Sequence, residues 1–244
     1  MIKKLTLFIL SFFDALYQKK WIKFLKKKKI NKFNILLDIG AHKGESIELF
    51  SKNFLIKKII SFEASPVNFE LLKNRVEKNK QGYNNTEIVL ENIALGAENK
   101  TVEFKQFNES SSSTIKKIDE ESKYYKRKFR LINFLNREQI YKKIQIKTFK
   151  LNDYIKKNNI KKIDFIKIDT EGYEFEVLLG LENNIQLVNI IMFEHHYDNM
   201  IKKGYTFTNI NKLLIKNRFK KIYKSRMPFR KTFEYIYERE ELVN

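Results

Sequence analysis

The chain has 244 residues, of which 43% are hydrophobic, enough for the core of one α/β domain with additions. It contains no cysteine, which excludes disulfide bonds, a thiolate nucleophile and a cysteine-ligated metal. The net charge of +20 is concentrated in residues 1–32 (+9) and 216–231 (+8), which indicates either contact with an anionic surface or substrate, or a solvated, solubilising surface.

The N-terminal residues 1–32 are predicted to form a basic amphipathic helical extension of a domain at 33–244. Leu5–Phe13 is apolar but too short to span a bilayer, and lysines follow where a signal peptide would have its cleavage site. One interpretation is an interfacial helix in peripheral contact with an anionic membrane. The other is a helix that packs on the domain or on a second subunit of a homo-oligomer. We expect a cytoplasmic protein, either free or peripheral on the inner face of the membrane.

From residue 34 onward, strand and helix signals alternate, which predicts a mostly parallel, doubly wound, Rossmann-like sheet. An insertion at about 107–143, typical of a lid or a mobile segment, interrupts the alternation. Two closing strands predict an antiparallel edge. The predicted strands are Ile35–Ile39, Ile59–Glu63, Ile88–Leu95, Thr101–Phe104, Ile144–Phe149, Ile163–Asp169, Val188–Phe193, Phe219–Tyr223 and Thr232–Tyr237, and the predicted helices are Glu45–Lys52, Ser65–Lys80, Leu151–Asn158, Glu174–Leu181 and Thr208–Asn217.

The first predicted strand ends in an acid and opens into a loop with glycines at Gly40 and Gly44. The second strand ends in Glu63, 23 residues after Gly40. Strand, glycine turn, helix, strand and acid form the layout of a nucleoside-binding βαβ unit, in which the acid holds ribose hydroxyls. The loop lacks the middle glycine that lets the backbone approach a pyrophosphate. A ligand with a ribose but no pyrophosphate, such as S-adenosylmethionine, therefore fits better.

Five predicted strand ends carry polar or small residues, and in such a sheet ligands bind outside the carboxyl ends of the strands. The first three strand ends are expected to bind the cofactor, with Asp38 ordering its loop. The alternative for the first strand end, with Gly40 and Gly44, is a plain strand-to-helix turn. The alternative for the second is that Glu63 is an ordinary surface acid. The predicted cofactor-binding residues are Asp38, Gly40, His42, Gly44, Glu45, Glu63, Ala64, Asn92, Ala94 and Asp169.

The last two strand ends carry the predicted chemistry. Asp169 and Glu171 could orient a sulfonium, accept a proton or ligate a hard cation, or Glu171 could cap a helix; no metal site is assigned. His195 is predicted to be the general base, with Asp169 as the alternative and Glu171 orienting substrate hydroxyls. Since adjacent residues of a strand point opposite ways, only one of His195 and His196 should face the site. The predicted substrate contacts are Ser111, Ser112, Glu194 and His196, although the serine run could instead be flexible.

These segments together resemble the FkbM-type S-adenosylmethionine-dependent methyltransferases. The matching stretches are LLDIGAHKGE at 36–45, SFEASPVNFELL at 61–72, ENIALG at 91–96, the serine run at 110–113, FKLNDYI at 149–155, IDFIKIDTEGYEFEVLLGL at 163–181 and IIMFEHH at 190–196. The KIDTEGYE portion at 167–174 is the most specific. The resemblance implies a class I methyltransferase fold, S-adenosylmethionine as cofactor, and O-methylation of a sugar or natural-product hydroxyl. It places cofactor binding on Asp38, Gly40, Gly44, Glu63 and Asn92, and the reaction near Asp169, Glu171 and His195.

The predicted acceptor is a sugar unit of a surface glycan or of its nucleotide-linked precursor, whose phosphates the basic residues of the insertion or of 216–231 could hold. Two alternatives remain. An RNA methyltransferase is permitted by the charge, but no RNA-binding module is recognisable, so a nucleic-acid partner is not expected. A non-catalytic, membrane-associated adaptor with a relict cofactor pocket is disfavoured by the intact strand ends.

Overall fold

The computed structural model describes residues 17–83, 85–107, 113–132, 141–228 and 230–240. The helices are α1 (17–27), α2 (Glu45–Asn53), α3 (Pro66–Lys78), α4 (Lys123–Ile132), α5 (Leu151–Lys157), α6 (Glu174–Leu179) and α7 (Phe207–Lys216). The strands are β1 (Lys32–Ile39), β2 (Leu55–Phe62), β3 (Glu87–Glu91), β4 (Ala94–Gly96), β5 (Lys100–Phe107), β6 (Lys117–Ile118), β7 (Tyr141–Lys150), β8 (Ile163–Ile168), β9 (Val188–His196), β10 (Ile201–Lys202), β11 (Phe219–Arg226) and β12 (Thr232–Arg239).

The central sheet has seven strands in the order β11-β12-β9-β8-β1-β2-β3. The strands from β9 to β3 are parallel to their neighbours, and β12 pairs antiparallel with both β9 and β11. The predicted doubly wound sheet with an antiparallel edge is therefore confirmed. The strand order changes direction at β1, whose neighbours are β8 and β2, and this is the point where such sheets bind ligands.

Helices cover both faces of the central sheet. On one face, α5, α6 and α7 bury residues such as Leu151 and Ile210. On the other face, α1, α2 and α3 bury residues such as Trp21 and Ile47. The predicted start of α3 is confirmed, because the Ser65 side chain accepts a hydrogen bond from the backbone N–H of Asn68.

The predicted third strand, Ile88–Leu95, is wrong as a single element. It is divided into β3, which belongs to the central sheet, and β4, which belongs to a second sheet in the order β4-β7-β5. The division lies at Asn92, whose side-chain amide donates to the backbone oxygen of Glu63 at 2.8 Å. The chain thereby leaves the central sheet, and Ala94–Gly96 pairs with β7.

The insertion lies inside an antiparallel hairpin that β5 and β7 form with each other. Within the insertion, β6 pairs with β10, the short strand that follows β9. Residues 108–112 and 133–140 lie outside the described part of the chain.

Helix α1 packs on the helices and strands that follow it. Tyr17, Trp21 and Leu25 are buried. The Trp21 ring lies 5.3 Å from the Phe50 ring, and the Tyr17 hydroxyl donates to the backbone oxygen of Ser225 at 3.0 Å. Leu5–Phe13 lies outside the described residues, so membrane contact stays a prediction. Among the described helices, none has the length and apolar character needed to cross a membrane.

Candidate active site

A cavity of about 320 Å³ lies at the carboxyl ends of β1, β2, β8 and β9, within the size range of small-molecule sites. Seven of the residues predicted to bind the cofactor line it: Gly40, His42, Glu45, Glu63, Ala64, Ala94 and Asp169. Asp169 and Glu171, predicted to act in the reaction, and Glu194, predicted to contact the substrate, also line it. The sheet thus brings together side chains that lie more than 150 positions apart in the sequence.

Other predicted site residues lie away from the cavity wall. Asp38, Gly44, Asn92, His195 and His196 do not line it. Ser111 and Ser112 lie outside the described residues, whereas Ser113, the last serine of the same run, does line the cavity.

Glu63 joins two loops at the cavity wall. One carboxylate oxygen accepts the backbone N–H of His42 and the other accepts that of Ser65, both at 2.8 Å. The side chain is 6% exposed, and burial raises the pKa of its carboxyl. Glu63 is therefore fixed in place at the end of β2, with its carboxylate at the cavity.

Gly40 allows two parts of the chain to approach closely. Its φ is +83°, and a Cβ at this position would lie 1.9 Å from the backbone oxygen of Asp169. We expected this glycine to admit a ligand, and it does line the cavity. The space next to its Cα, however, is filled by the neighbouring strand end, so the glycine is required by the fold itself.

Lys167, which was not among the predicted site residues, lines the cavity. Its amino group lies 3.5 Å from an oxygen of Asp38 and 3.3 Å from an oxygen of Asp169. Burial alone would lower the pKa of Lys167, but Asp169 and Asp38 raise it, so the lysine is charged. Asp38, which also accepts a hydrogen bond from Ser46, orders the first loop from beneath the cavity.

The two adjacent histidines point to opposite faces of β9, and neither His195, the predicted base, nor His196 lines the cavity. His195 lies among the rings of Tyr197, Tyr205 and Phe207 and does not line the cavity. Burial, together with Lys203, lowers its pKa to about 3, so the ring is neutral at physiological pH. This position does not suit the general base of a reaction in the cavity.

His196 lies on the cavity's face of the sheet and contacts a residue of the cavity wall. Its Nε2 is 3.6 Å from a carboxylate oxygen of Glu171, and its Nδ1 is 3.7 Å from one of Asp198. Burial lowers the pKa of His196, but Glu171 and Asp198 outweigh burial and raise it to about 10. His196 is therefore a cation that positions Glu171.

The loop after β8 is shaped by Glu174. Its carboxylate accepts hydrogen bonds from the backbone N–H groups of Thr170 and Gly172, and from the hydroxyl of Tyr205. These hydrogen bonds hold the loop and do not cap α6, whose N-cap residue Tyr173 makes no side-chain cap hydrogen bond. The backbone of Glu171 has a φ of 49°. The distinctive KIDTEGYE segment thus places Asp169 and Glu171 at the cavity and uses Glu174 to hold the loop.

Several residues of the cavity wall were not predicted, because their segments carry no recognisable motif. Tyr17 and Trp21 come from α1, Arg230 comes from the turn after β11, and Glu234 comes from β12. Within the described residues, no group of three or more His, Cys, Asp or Glu side chains is arranged to hold a metal ion.

Comparisons with known proteins match the chain to methyltransferases. Residues 38–222 match the family model of the methyltransferase FkbM domain. Over 51 residues the chain is 37% identical to the hexuronic acid methyltransferase AglP of Haloferax volcanii, a match that covers 21% of each chain.

Solved structures show the same fold. The methyltransferase FkbM from Methylobacillus flagellatus KT superposes with a TM-score of 0.55 at 14% identity, over 84% of this chain and 43% of that one. The magnesium protoporphyrin IX methyltransferase of Synechocystis PCC 6803, crystallised with bound SAH, superposes with a TM-score of 0.54 at 7% identity, over 95% of this chain and 85% of that one. The chain therefore spans less than half of the FkbM structure that it matches.

Proposed function

The chain belongs to the methyltransferase FkbM family, and we propose that it transfers the methyl group of S-adenosylmethionine to a hydroxyl group of a sugar. The observation that carries the proposal is the cavity at the switch point of the sheet, which combines a fixed glutamate at the end of β2 with an acid-rich floor at the ends of β8 and β9. The rival interpretations of the sequence, an RNA methyltransferase and a non-catalytic adaptor, have no such specific observation in their favour.

The residues of the cavity fit S-adenosylmethionine. Glu63 suits the ribose hydroxyls, and Ile93 and Ala94 offer an apolar surface to the adenine. The carboxylates of Asp169 and Glu171 complement the positive sulfonium and ammonium groups. When bound, the cofactor supplies a methyl carbon made electrophilic by its positive sulfur.

The protein's own contribution is to align the acceptor oxygen and to take its proton. Alignment can supply several kcal/mol of a barrier, and up to about 7–11 kcal/mol in the best-oriented reactions. Asp169 is held by Lys167 and lines the cavity, and we assign it to the cofactor side of the reaction centre. Glu171, positioned by His196, orients acceptor hydroxyls.

The sugar acceptor is supported by two observations. The Haloferax volcanii relative is named for the methylation of a hexuronic acid. In addition, the turn that follows β11 brings Arg230 to the cavity wall, and the neighbouring Arg226 donates to the Arg230 backbone oxygen at 3.3 Å. Guanidinium groups bind phosphate well, so a sugar linked to a nucleotide diphosphate is the acceptor we favour.

The experiment is incubation of the purified protein with methyl-labelled S-adenosylmethionine and a panel of nucleotide sugars that includes UDP-glucuronic acid, with free glycans and RNA as further acceptors. Label in a sugar product that is released by mild acid and analysed by mass spectrometry supports the proposal. Label in RNA alone, or no binding of S-adenosylmethionine by calorimetry, contradicts it.

A further inference from the structure

Two carboxyl groups of the cavity wall lie on neighbouring strands, on the far side of β8 from Glu63. Glu194 of β9 and Glu234 of β12 are direct partners in the antiparallel register. Side chains at such positions share one face of the sheet, with Cβ atoms about 4.5–5.5 Å apart. Both side chains line the cavity. The two glutamates therefore form an adjacent pair that a ligand in the cavity can reach.

Like charges directly opposite each other in a sheet repel, and the cations Lys167 and His196 act on this pair only from beyond ion-pair distance. Lys167 is held by Asp38 and Asp169, and His196 is held by Glu171 and Asp198. Within the described residues, neither Glu194 nor Glu234 has a lysine, arginine or histidine partner within ion-pair distance, and a buried oxygen of Glu234 has no hydrogen-bond partner.

The surroundings favour a proton on the pair. Glu234 is 4% exposed, and burial raises its pKa to about 8. Burial also raises the pKa of Glu194, and the nearby charge of Asp169 adds to the effect. The titratable and charged groups that face the pair are Tyr17 of α1, Asp38 of β1, Lys167 and Asp169 at β8, His196 of β9, Tyr223 of β11 and Arg230 of the following turn.

We propose that Glu194 and Glu234 share one proton across the β9–β12 pairing, and that Glu194 accepts the proton of the acceptor hydroxyl during methyl transfer. As the O–H bond breaks, the proton passes to Glu194, the oxygen bonds to the methyl carbon, and the bond from sulfur to that carbon breaks with its electron pair left on sulfur. The second part rests on the proposed function. Glu234 acts through Glu194 and is a positioning residue.

The position of the pair agrees with this role. In the sheet order, β1, β2 and β3 form the half that carries the nucleoside-binding residues, whereas β9 and β12 lie on the other side of β8. The acceptor must therefore approach from the half that carries the glutamates, with Asp169 between the two halves. The pair replaces the predicted His195, which lies on the opposite face.

The shared proton can be tested without an acceptor, by a pH titration of glutamate carboxyl ¹³C signals in the full-length protein. Glu194→Gln and Glu234→Gln assign the two signals, and Glu238→Gln is the control on the same strand. In the wild type we expect two coupled titration steps, one above and one below neutral pH. In either single variant the remaining glutamate should titrate more than about one pH unit below the upper step of the wild type. Independent steps near the ordinary value of about 4.3 overturn the proposal.

The catalytic part is tested with labelled S-adenosylmethionine and UDP-glucuronic acid, or with whichever panel acceptor the wild type methylates. Glu194→Gln should lower kcat by about 100-fold or more while S-adenosylhomocysteine affinity changes less than about twofold, and Glu194→Asp should restore part of the rate. Glu234→Gln should move the acidic limb of the pH–kcat profile to lower pH. A Glu194→Gln enzyme that keeps kcat within about threefold, or an unmoved limb in Glu234→Gln, overturns the assignment. A wild type that binds S-adenosylmethionine but methylates no acceptor contradicts the proposed function, and the titration still decides the shared proton.

Discussion

Lys167 faces four carboxyl groups on one side of the central sheet. It contacts Asp38 and Asp169 directly and interacts at longer range with Glu194 and Glu234. Two of these carboxyl groups, Asp38 and Glu234, are buried, and a buried carboxylate without a paired cation carries a large desolvation cost. The cavity therefore either holds protons or binds a cation, and a sulfonium ligand meets that second condition.

The raised pKa of Glu234 predicts a pH dependence of stability. An unfolded glutamate loses its proton near pH 4.3, whereas folded Glu234 keeps it up to about pH 8. Between these values the folded state binds more protons, so this contribution to stability is complete below pH 4.3 and is lost as the pH rises towards 8. Thermal denaturation should therefore show a smaller loss of stability over this window in Glu234→Gln than in the wild type. Parallel curves for the two proteins would contradict the raised pKa.

Glu63 predicts a loss of cofactor affinity. A hydrogen bond to a charged group contributes roughly 1.5–3 kcal/mol, and Glu63→Ala should weaken the binding of S-adenosylhomocysteine by at least that amount. The substitution removes the proposed partner of the ribose hydroxyls, and it also removes the carboxylate that holds the His42 loop. Calorimetry gives the affinity directly, with Glu70→Ala, an exposed acid on α3, as the matched control. Equal affinity in Glu63→Ala and the control would remove Glu63 from the site.

At the scale of whole elements, the sequence predicts well which residues end each strand, and predicts poorly which strands pair with each other in the sheet. Asp38, Glu63 and Asp169 each follow an apolar run, so their position at the carboxyl edge of the sheet could be predicted. Glu234 could not, because β12 is inserted between β9 and β11 by tertiary pairing alone. The faces on which His195 and His196 lie could not be predicted for a related reason: they depend on Met192 lying opposite Lys167, a register that no local pattern reveals.

Helix α1 predicts how far the N-terminus can be shortened. The full extension of residues 1–32 is not dispensable, because Tyr17 and Trp21 line the cavity and Trp21 is 1% exposed. Removal of residues 1–14 should leave the thermal midpoint and S-adenosylhomocysteine binding close to the wild type. Removal of residues 1–30 should destabilise the domain. Trp21→Ala alone should lower the free energy of unfolding, measured by chemical denaturation, by about 3–5 kcal/mol. Lys20→Ala, at an exposed position of the same helix, should change it little. A stable protein without residues 1–30 would show that α1 is not part of the core.

At the scale of the whole molecule, the charge of +20 predicts salt-sensitive binding to anionic surfaces. The full chain should sediment with vesicles containing phosphatidylserine more than with phosphatidylcholine vesicles, and less as salt rises. Removal of residues 1–14 should reduce this vesicle binding without affecting the affinity for S-adenosylhomocysteine. The comparison distinguishes binding through the apolar segment Leu5–Phe13 from binding through the basic residues of the rest of the chain. Equal sedimentation of the two proteins would mean that Leu5–Phe13 is not the anchor.

The hydrogen bond between Tyr17 and Ser225 joins residues 208 positions apart, at the edge of the cavity. A ribosome adds residues in order, so α1 emerges long before β12, the strand that completes that wall. Until β11 and β12 are made, Tyr17 lacks its Ser225 partner and the wall that carries Glu234 is missing, although Trp21 can already pack on Phe50. The nascent chain therefore cannot complete the pocket, and a premature stop anywhere before β12 should yield no partially active product.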